Sequence, residues 1–239
     1  MKGIILAGGT GSRLLPLTKA TNKHLLPVGD KPMVLYPVEK LRGAGIEEIL
    51  IVTGPEHLGS MVSLLGSGKD YGCEFTYKAQ DQAGGIAQAL GLASHFSHDD
   101  QMCVILGDNI FKDSLRSFAE DFIVKKRSAK VLLQKVADPE RFGVAEIEGD
   151  KIINIVEKPK NPKSDYAVTG IYFFSPDVFE IIKSVKPSGR GELEISDVTN
   201  SYVKRGEMSF NILENWWTDA GTFESLALAT ELVRKSPPL

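Results

Sequence analysis

Apolar residues gather in short runs through the first half of the chain. Residues 2–7 (KGIILA), 48–53 (EILIVT), 73–78 (CEFTYK) and 102–106 (MCVIL) each close on glycine or polar turn residues, the pattern of buried parallel strands. Between them, residues 33–41 keep apolar positions at helical spacing and stop at Gly43 and Gly45, and residues 84–96 and 115–126 predict two further amphipathic helices. This alternation predicts right-handed strand–helix–strand units. The expected architecture is α/β, a Rossmann-like, mostly parallel sheet flanked by helices.

The second half is less regular. Strands are predicted over residues 130–135, 143–147, 151–156 and 167–174, the middle two joined by the turn EGD. Helices are predicted over 177–184, 194–205 and 221–234, and the tail KSPPL reads as a frayed end. With no repeat, low-complexity tract or linker, the reading is one domain over 1–239. Roughly 1–130 would form the regular half, and 131–239 a half with a smaller β-rich subregion.

Composition narrows the partners. The 239 residues are 42% hydrophobic and 25% charged, enough for one sizeable core. A net charge of -3 argues against nucleic acid and anionic membranes. Any polyanion must therefore be small and locally cradled. The opening MKGIILAGG is too short an apolar run for a leader or a membrane span, so a cytoplasmic protein is expected. Cys73 and Cys103 lack metal or redox spacing and read as packed thiols, and His24, His57, His95 and His98 show no ligand spacing.

The opening strand runs into LAGGTGSRLLPLTKATNKHLLP, residues 6–27. No Lys-Ser or Lys-Thr pair follows the glycines as a Walker loop requires, and Leu14 occupies the third position of a dinucleotide fingerprint. What remains is a turn whose bare N–H groups can approach a phosphate chain, with Arg13, Lys19 and Lys23 just beyond it. Alone, each cation is more often a solvated surface charge; together they can converge on phosphates. Asp108 in LGDN closes an apolar strand, where open α/β sheets bind ligands, though an aspartate there can equally serve a turn. Asp219 in WWTDAG precedes a helix that it could simply cap.

GGTGSR followed by KHLLPVGDKPM resembles the signature of sugar-1-phosphate nucleotidyltransferases, most closely the glucose-1-phosphate thymidylyltransferases. The resemblance extends through QDQAGGIAQAL, LGDNIF, DPERFGVAEI, EKPKNPKSDYAVTGIY, RGELEISDV and WWTDAGT, in the family's order, to about Glu231. It implies the nucleotide-diphospho-sugar transferase fold and joining of dTTP to glucose 1-phosphate with release of pyrophosphate. The product, dTDP-glucose, would feed deoxysugars such as dTDP-rhamnose. A UTP-using uridylyltransferase and a catalytically silent nucleotide-sugar-binding module are the alternatives.

The resemblance also implies roles residue by residue. Asp108 and Asp219 would be Mg²⁺ ligands, Arg13 and Lys23 the cations of the nucleotide phosphates, and Lys158 the partner of the sugar phosphate. Gly8, Gly9, Gly11, Ser12, Gln80 and Gly85 would hold the nucleotide, Gln80 and Gly85 reading the base. Gly143, Glu157, Val168, Thr169 and Arg190 would line the sugar-phosphate side, with Glu157 on sugar hydroxyls. Phe142 stands where the thymidylyltransferases are expected to carry tyrosine. Longer members continue past the final helix into a helical segment used for subunit packing and regulation. Since this sequence ends at Leu239, a regulatory site built from that segment is not expected, and any homo-oligomer would use other surfaces.

Overall fold

The computed structural model describes residues 1–238. Its contacts group the chain into two compact units, each drawn from separate stretches of sequence: Met1–Ala83, Ile105–Ser117 and the described residues from Glu214 form the first, and Gly84–Val104 with Phe118–Leu213 form the second. The chain passes from one unit to the other several times.

In the first unit, strands Lys2–Ala7, Glu48–Thr53 and Glu74–Ala79 lie parallel in that order, with Gly3 opposite Ile49 and Ile49 opposite Phe75. Ile4, Ile5, Ile49 and Ile51 are fully buried, as strands covered on both faces require. Burial of each such side chain is worth roughly 1.5–3 kcal/mol. Helices Leu35–Gly43 and Pro55–Leu65 connect these strands. The second helix escapes the periodicity reading: Pro55 starts it at a position that needs no N–H donor, but Gly59 interrupts its apolar face.

Two short antiparallel strands, Asn109–Phe111 and Trp217–Asp219, pair in register Asn109 to Asp219, Ile110 to Thr218 and Phe111 to Trp217. Three-residue strands carry too little periodicity to be seen in the sequence. Behind this ladder Val28, Met33, Tyr36, Ile110, Ala220 and Ala229 form a core against which Trp216 and Val233 pack. The final helix, Phe223–Lys235, opens with a capping box in which Thr222 and Ser225 exchange hydrogen bonds. The expected frayed tail is tied at one point, since the Trp216 indole N–H donates to the Ser236 carbonyl at 3.0 Å; Leu239 lies outside the described residues.

The second unit is built on antiparallel pairs. Gly143–Glu148 and Lys151–Glu157 form the predicted hairpin, Tyr166–Phe174 pairs with Ala129–Lys135, and Met208–Ile212 adds a parallel strand to the latter. The single helix predicted over 84–96 is two short ones, Ile86–Gly91 and Ser94–Ser97, because Gly91 weakens the helix where it would have continued. Lys130, buried beneath this sheet, donates to Asp121 Oδ2 at 2.6 Å and to the Phe118 carbonyl at 3.1 Å. Among the described residues no helix is long and apolar enough to cross a membrane.

Candidate active site

The glycine turn leaves the C-terminal end of the Lys2–Ala7 strand. Gly11 sits at φ +66°, a conformation that only glycine adopts freely, and the Thr18 hydroxyl ties the turn by donating to the Gly11 carbonyl at 2.8 Å. Ser12 and Arg13 then start a single 3₁₀ turn, Ser12–Leu14, anchored by the fully buried Leu14. That leucine fills the space a dinucleotide fingerprint would leave for close helix packing. Gly8 packs against the end of the Gln80 side chain: a Cβ there would lie 2.5 Å from Gln80 Oε1, so a larger residue would have to displace that amide. Gly9 lies beside Lys23, whose Nζ would be 3.6 Å from a Cβ at that position.

Lys23 is aimed by its neighbours. Asn22 and His24 both point inward and are almost fully buried. The Asn22 side-chain oxygen accepts from the His24 backbone N–H at 2.8 Å and lies 2.7 Å from His24 Nδ1, and its amide donates to the Ala7 carbonyl at 3.3 Å. Between these anchors, Lys23 donates from Nζ to Asp108 Oδ2 at 2.5 Å. Asp108 is buried, and its other oxygen accepts from Asn109 Nδ2 at 3.1 Å. Burial opposes its ionisation, but the Lys23 ammonium and these hydrogen bonds outweigh it and hold the carboxyl well below the usual carboxylate range.

Burial, reinforced by the Lys23 charge and opposed by Asp108, pushes the His24 imidazole from 6.5 down to about 3. The folded protein therefore keeps His24 neutral while the unfolded chain takes up a proton below pH 6.5, so its stabilising contribution is complete above 6.5 and lost as pH falls toward 3. Between pH 7.5 and 5 this costs about 2 kcal/mol. His24→Gln should remove that loss from thermal melts taken across this range; equal pH slopes in the two proteins would contradict the assignment.

Asp219 reaches the same cluster by way of the ladder. It lies opposite Asn109, and the Ala220 N–H donates to the Asp108 carbonyl at 2.8 Å. Gly221 completes the approach: a Cβ there would lie 3.0 Å from an Arg13 Nη2 and 3.1 Å from Asp219 Oδ2. Lys23 thus pairs with Asp108, Arg13 and Asp219 meet beside Gly221, and the Ala220 N–H links the two pairs through the Asp108 carbonyl, all within the first unit. Sequence reasoning missed the supports of this cluster. The Trp217 indole donates to Asn109 Oδ1 at 2.6 Å, and Asn109 in turn donates to Asp108. Asn109, inside LGDN, was the one signal available for them.

In the second unit, strand register gathers the expected sugar-side residues. Gly143 is opposite both Glu157 and Val168, and a Cβ on Gly143 would lie 3.4 Å from Glu157 Oε2. The Thr169 hydroxyl is committed to the Leu132 carbonyl at 2.8 Å. Lys158 adopts φ +43°, held by its N–H donating to the Phe142 carbonyl at 3.0 Å, and its ammonium lies 3.4 Å from Glu157 Oε1. A lysine in the left-handed region ahead of Pro159 is a local strain of the kind that concentrates at functional positions. Arg190 grips Glu194 at 2.9 Å and lies 3.8 Å from Glu157. Gly85, at φ +97°, would place a Cβ 2.5 Å from the Leu193 carbonyl oxygen, so glycine is required there by the packing of its own unit.

Among the described residues no three His, Cys, Asp or Glu side chains converge into a metal cage. Two carboxylates are nevertheless a donor set suited to a hard divalent ion that completes its shell with phosphate oxygens and water. A glycine turn with paired cations beside paired carboxylates is equipment for moving a phosphate-bearing group between oxygen acceptors. A model of the nucleotidyl transferase family matches residues 2–236, and the chain belongs to that family.

Relatives agree over nearly the full length. The glucose-1-phosphate thymidylyltransferase of Neisseria meningitidis is 46% identical across 98% of this chain and 83% of its own length. The enzyme of that name from Mycolicibacterium smegmatis is 43% identical across 98% and 82%. A solved structure from Bacillus anthracis, provisionally described as a glucose-1-phosphate thymidylyltransferase in complex with sucrose, superposes with a TM-score of 0.95 at 61% identity, covering 98% of this chain and 95% of that one. A UDP-glucose pyrophosphorylase complexed with UDP-glucose shares the fold at a TM-score of 0.87 and 28% identity, covering 98% of both chains.

Proposed function

We propose that the protein is a metal-dependent glucose-1-phosphate thymidylyltransferase. It joins dTTP and glucose 1-phosphate into dTDP-glucose, releases pyrophosphate and opens the route to dTDP-deoxysugars. The near-full-length identity to relatives of that name carries the reading, and the charged cluster of the first unit supplies chemistry to match. A cytoplasmic location is part of this proposal, since dTTP and glucose 1-phosphate would have to be drawn from that compartment.

The reaction brings two anions together: an oxygen of the sugar phosphate attacks the α-phosphorus of dTTP in line, and the bond to the β-phosphate oxygen breaks. The attacking phosphate is already ionised at neutral pH, so charge neutralisation and alignment, rather than proton transfer, are the demands on the protein. Arg13 spans oxygens of the departing pyrophosphate, and Lys23 meets the charge growing on the α-phosphate. The turn at Gly8, Gly9, Gly11 and Ser12 offers backbone donors to the nucleotide. Gln80 and Gly85 address the base, Gln80 through an amide that both donates and accepts.

Asp108 and Asp219 would hold Mg²⁺, which when bound neutralises and polarises the nucleotide phosphates. On the sugar side, Lys158 meets the phosphate and Glu157 the hydroxyls, Gly143 and Val168 line the hexose, Thr169, whose buried hydroxyl is committed to Leu132, backs them with main chain alone, and Arg190 holds Glu157 in place or reaches the phosphate. Arg13, Lys23, Asp108, Lys158 and Asp219 are all present together, and a silent binding module would have no chemical need for both carboxylates. The base preference is tested by giving the protein Mg²⁺, glucose 1-phosphate and equal dTTP and UTP, then identifying the nucleotide sugar by mass spectrometry. dTDP-glucose should dominate; predominant UDP-glucose would replace this reading with a uridylyltransferase.

A further inference from the structure

Lys40 is a buried lysine that the proposed chemistry does not use. It lies on helix Leu35–Gly43, only 4% exposed, and donates from Nζ to the carbonyls of Lys112 at 2.8 Å and Asp113 at 2.7 Å, over the Phe111 ring with 4.8 Å to its centroid. Burial lowers its ammonium to about 8, partly offset by Asp113, so the fold keeps a donor there against a desolvation cost. Asp113 is buried as well. Its carboxylate accepts the backbone N–H groups of Glu214 and Asn215, each at 3.0 Å, and the Asn215 amide at 3.3 Å.

These two side chains grip the far end of the ladder that carries Asp108 and Asp219. Lys40 holds the main chain where strand Asn109–Phe111 ends, and Asp113 holds the segment that leads into strand Trp217–Asp219. A lone pair of three-residue strands is marginal by itself, yet a metal-binding pair must keep its separation to about 0.5 Å. At the near end, Ala220 N–H to the Asp108 carbonyl closes the ladder; at the far end, Lys112 N–H donates to the Trp216 carbonyl at 3.0 Å, immediately beside the Lys40 and Asp113 contacts. We propose that Lys40 and Asp113 are positioning residues that hold Asp108 and Asp219 at metal-binding separation, without touching substrate or metal themselves.

The inference rests on reading Asp108 and Asp219 as metal ligands, and its test separates the two. Mn²⁺ alone is titrated into the full chain and followed by electron paramagnetic resonance, with wild type, Lys40→Met, Asp113→Asn and Asp219→Asn compared at a temperature where melting curves show each folded. Wild type should bind Mn²⁺, Asp219→Asn should lose it, and Lys40→Met should bind about tenfold more weakly, the scale of effect seen when the support of a metal ligand is removed. Asp113→Asn, which keeps its shape, should fall in between and decides the matter alone if Lys40→Met does not fold. Folded Lys40→Met and Asp113→Asn proteins with wild-type Mn²⁺ affinity would overturn the positioning role. Absent binding by wild type, or undiminished binding by Asp219→Asn, would instead overturn the ligand reading together with the inference that rests on it.

Discussion

Asp108→Asn should lower kcat for pyrophosphate release by about a thousandfold, the upper range for losing one electrostatic element of a phosphoryl-transfer site. The substitution keeps the side-chain volume and an oxygen to face Lys23 Nζ, which lies 2.5 Å from Asp108 Oδ2. What it deletes is the charge that counters Lys23 and would hold the metal. Because Lys23 loses its counter-charge in a largely buried setting, a marked fall in melting temperature should accompany the loss of turnover, with cooperative unfolding retained. Initial rates with saturating dTTP and glucose 1-phosphate, set beside thermal melts, check both parts. A folded variant within tenfold of wild-type kcat would remove Asp108 from the chemistry.

Lys158→Ala should raise the KM for glucose 1-phosphate by about 30- to 100-fold while leaving the KM for dTTP nearly unchanged. A hydrogen bond from an ammonium to a phosphate is worth about 2–3 kcal/mol, and each 1.4 kcal/mol is about a factor of ten. The backbone there is fixed at φ +43° by the Phe142 carbonyl and the following Pro159. Alanine meets the same local strain as lysine, so the substitution reports on the lost ammonium rather than on a relaxed loop. Rates against glucose 1-phosphate at saturating dTTP, and the reverse series, separate the two constants. If the dTTP constant moved instead, the sugar-phosphate role proposed for Lys158 would be wrong.

The strands Lys2–Ala7, Glu48–Thr53 and Met102–Leu106 were legible because a strand buried on both faces must be an unbroken apolar run, and such runs ended at the predicted residues. Helix Ile195–Arg205 was legible for the opposite reason, a one-sided apolar stripe with glycine just past its end. The ladder of Asn109–Phe111 with Trp217–Asp219 was not, since each strand is shorter than two periods and their partnership is set by tertiary packing. The same limit applied to the site. The glycine turn, Arg13, Lys23 and Asp108 announce themselves by chemistry concentrated at a strand end. The inward turn of His24 and the hold of Lys40 on the Asp113 carbonyl, 73 residues away in sequence, depend on distances that no local pattern encodes.

The central claim is tested most directly by measuring pyrophosphate release from dTTP, UTP, CTP, ATP and GTP at equal concentration, with and without glucose 1-phosphate and Mg²⁺. Release should be fastest with dTTP and should vanish when either the sugar phosphate or the metal is withheld. Release that continued without glucose 1-phosphate, or none with any nucleotide while dTDP-glucose still bound, would contradict the transfer reaction and leave only a nucleotide-sugar-binding protein.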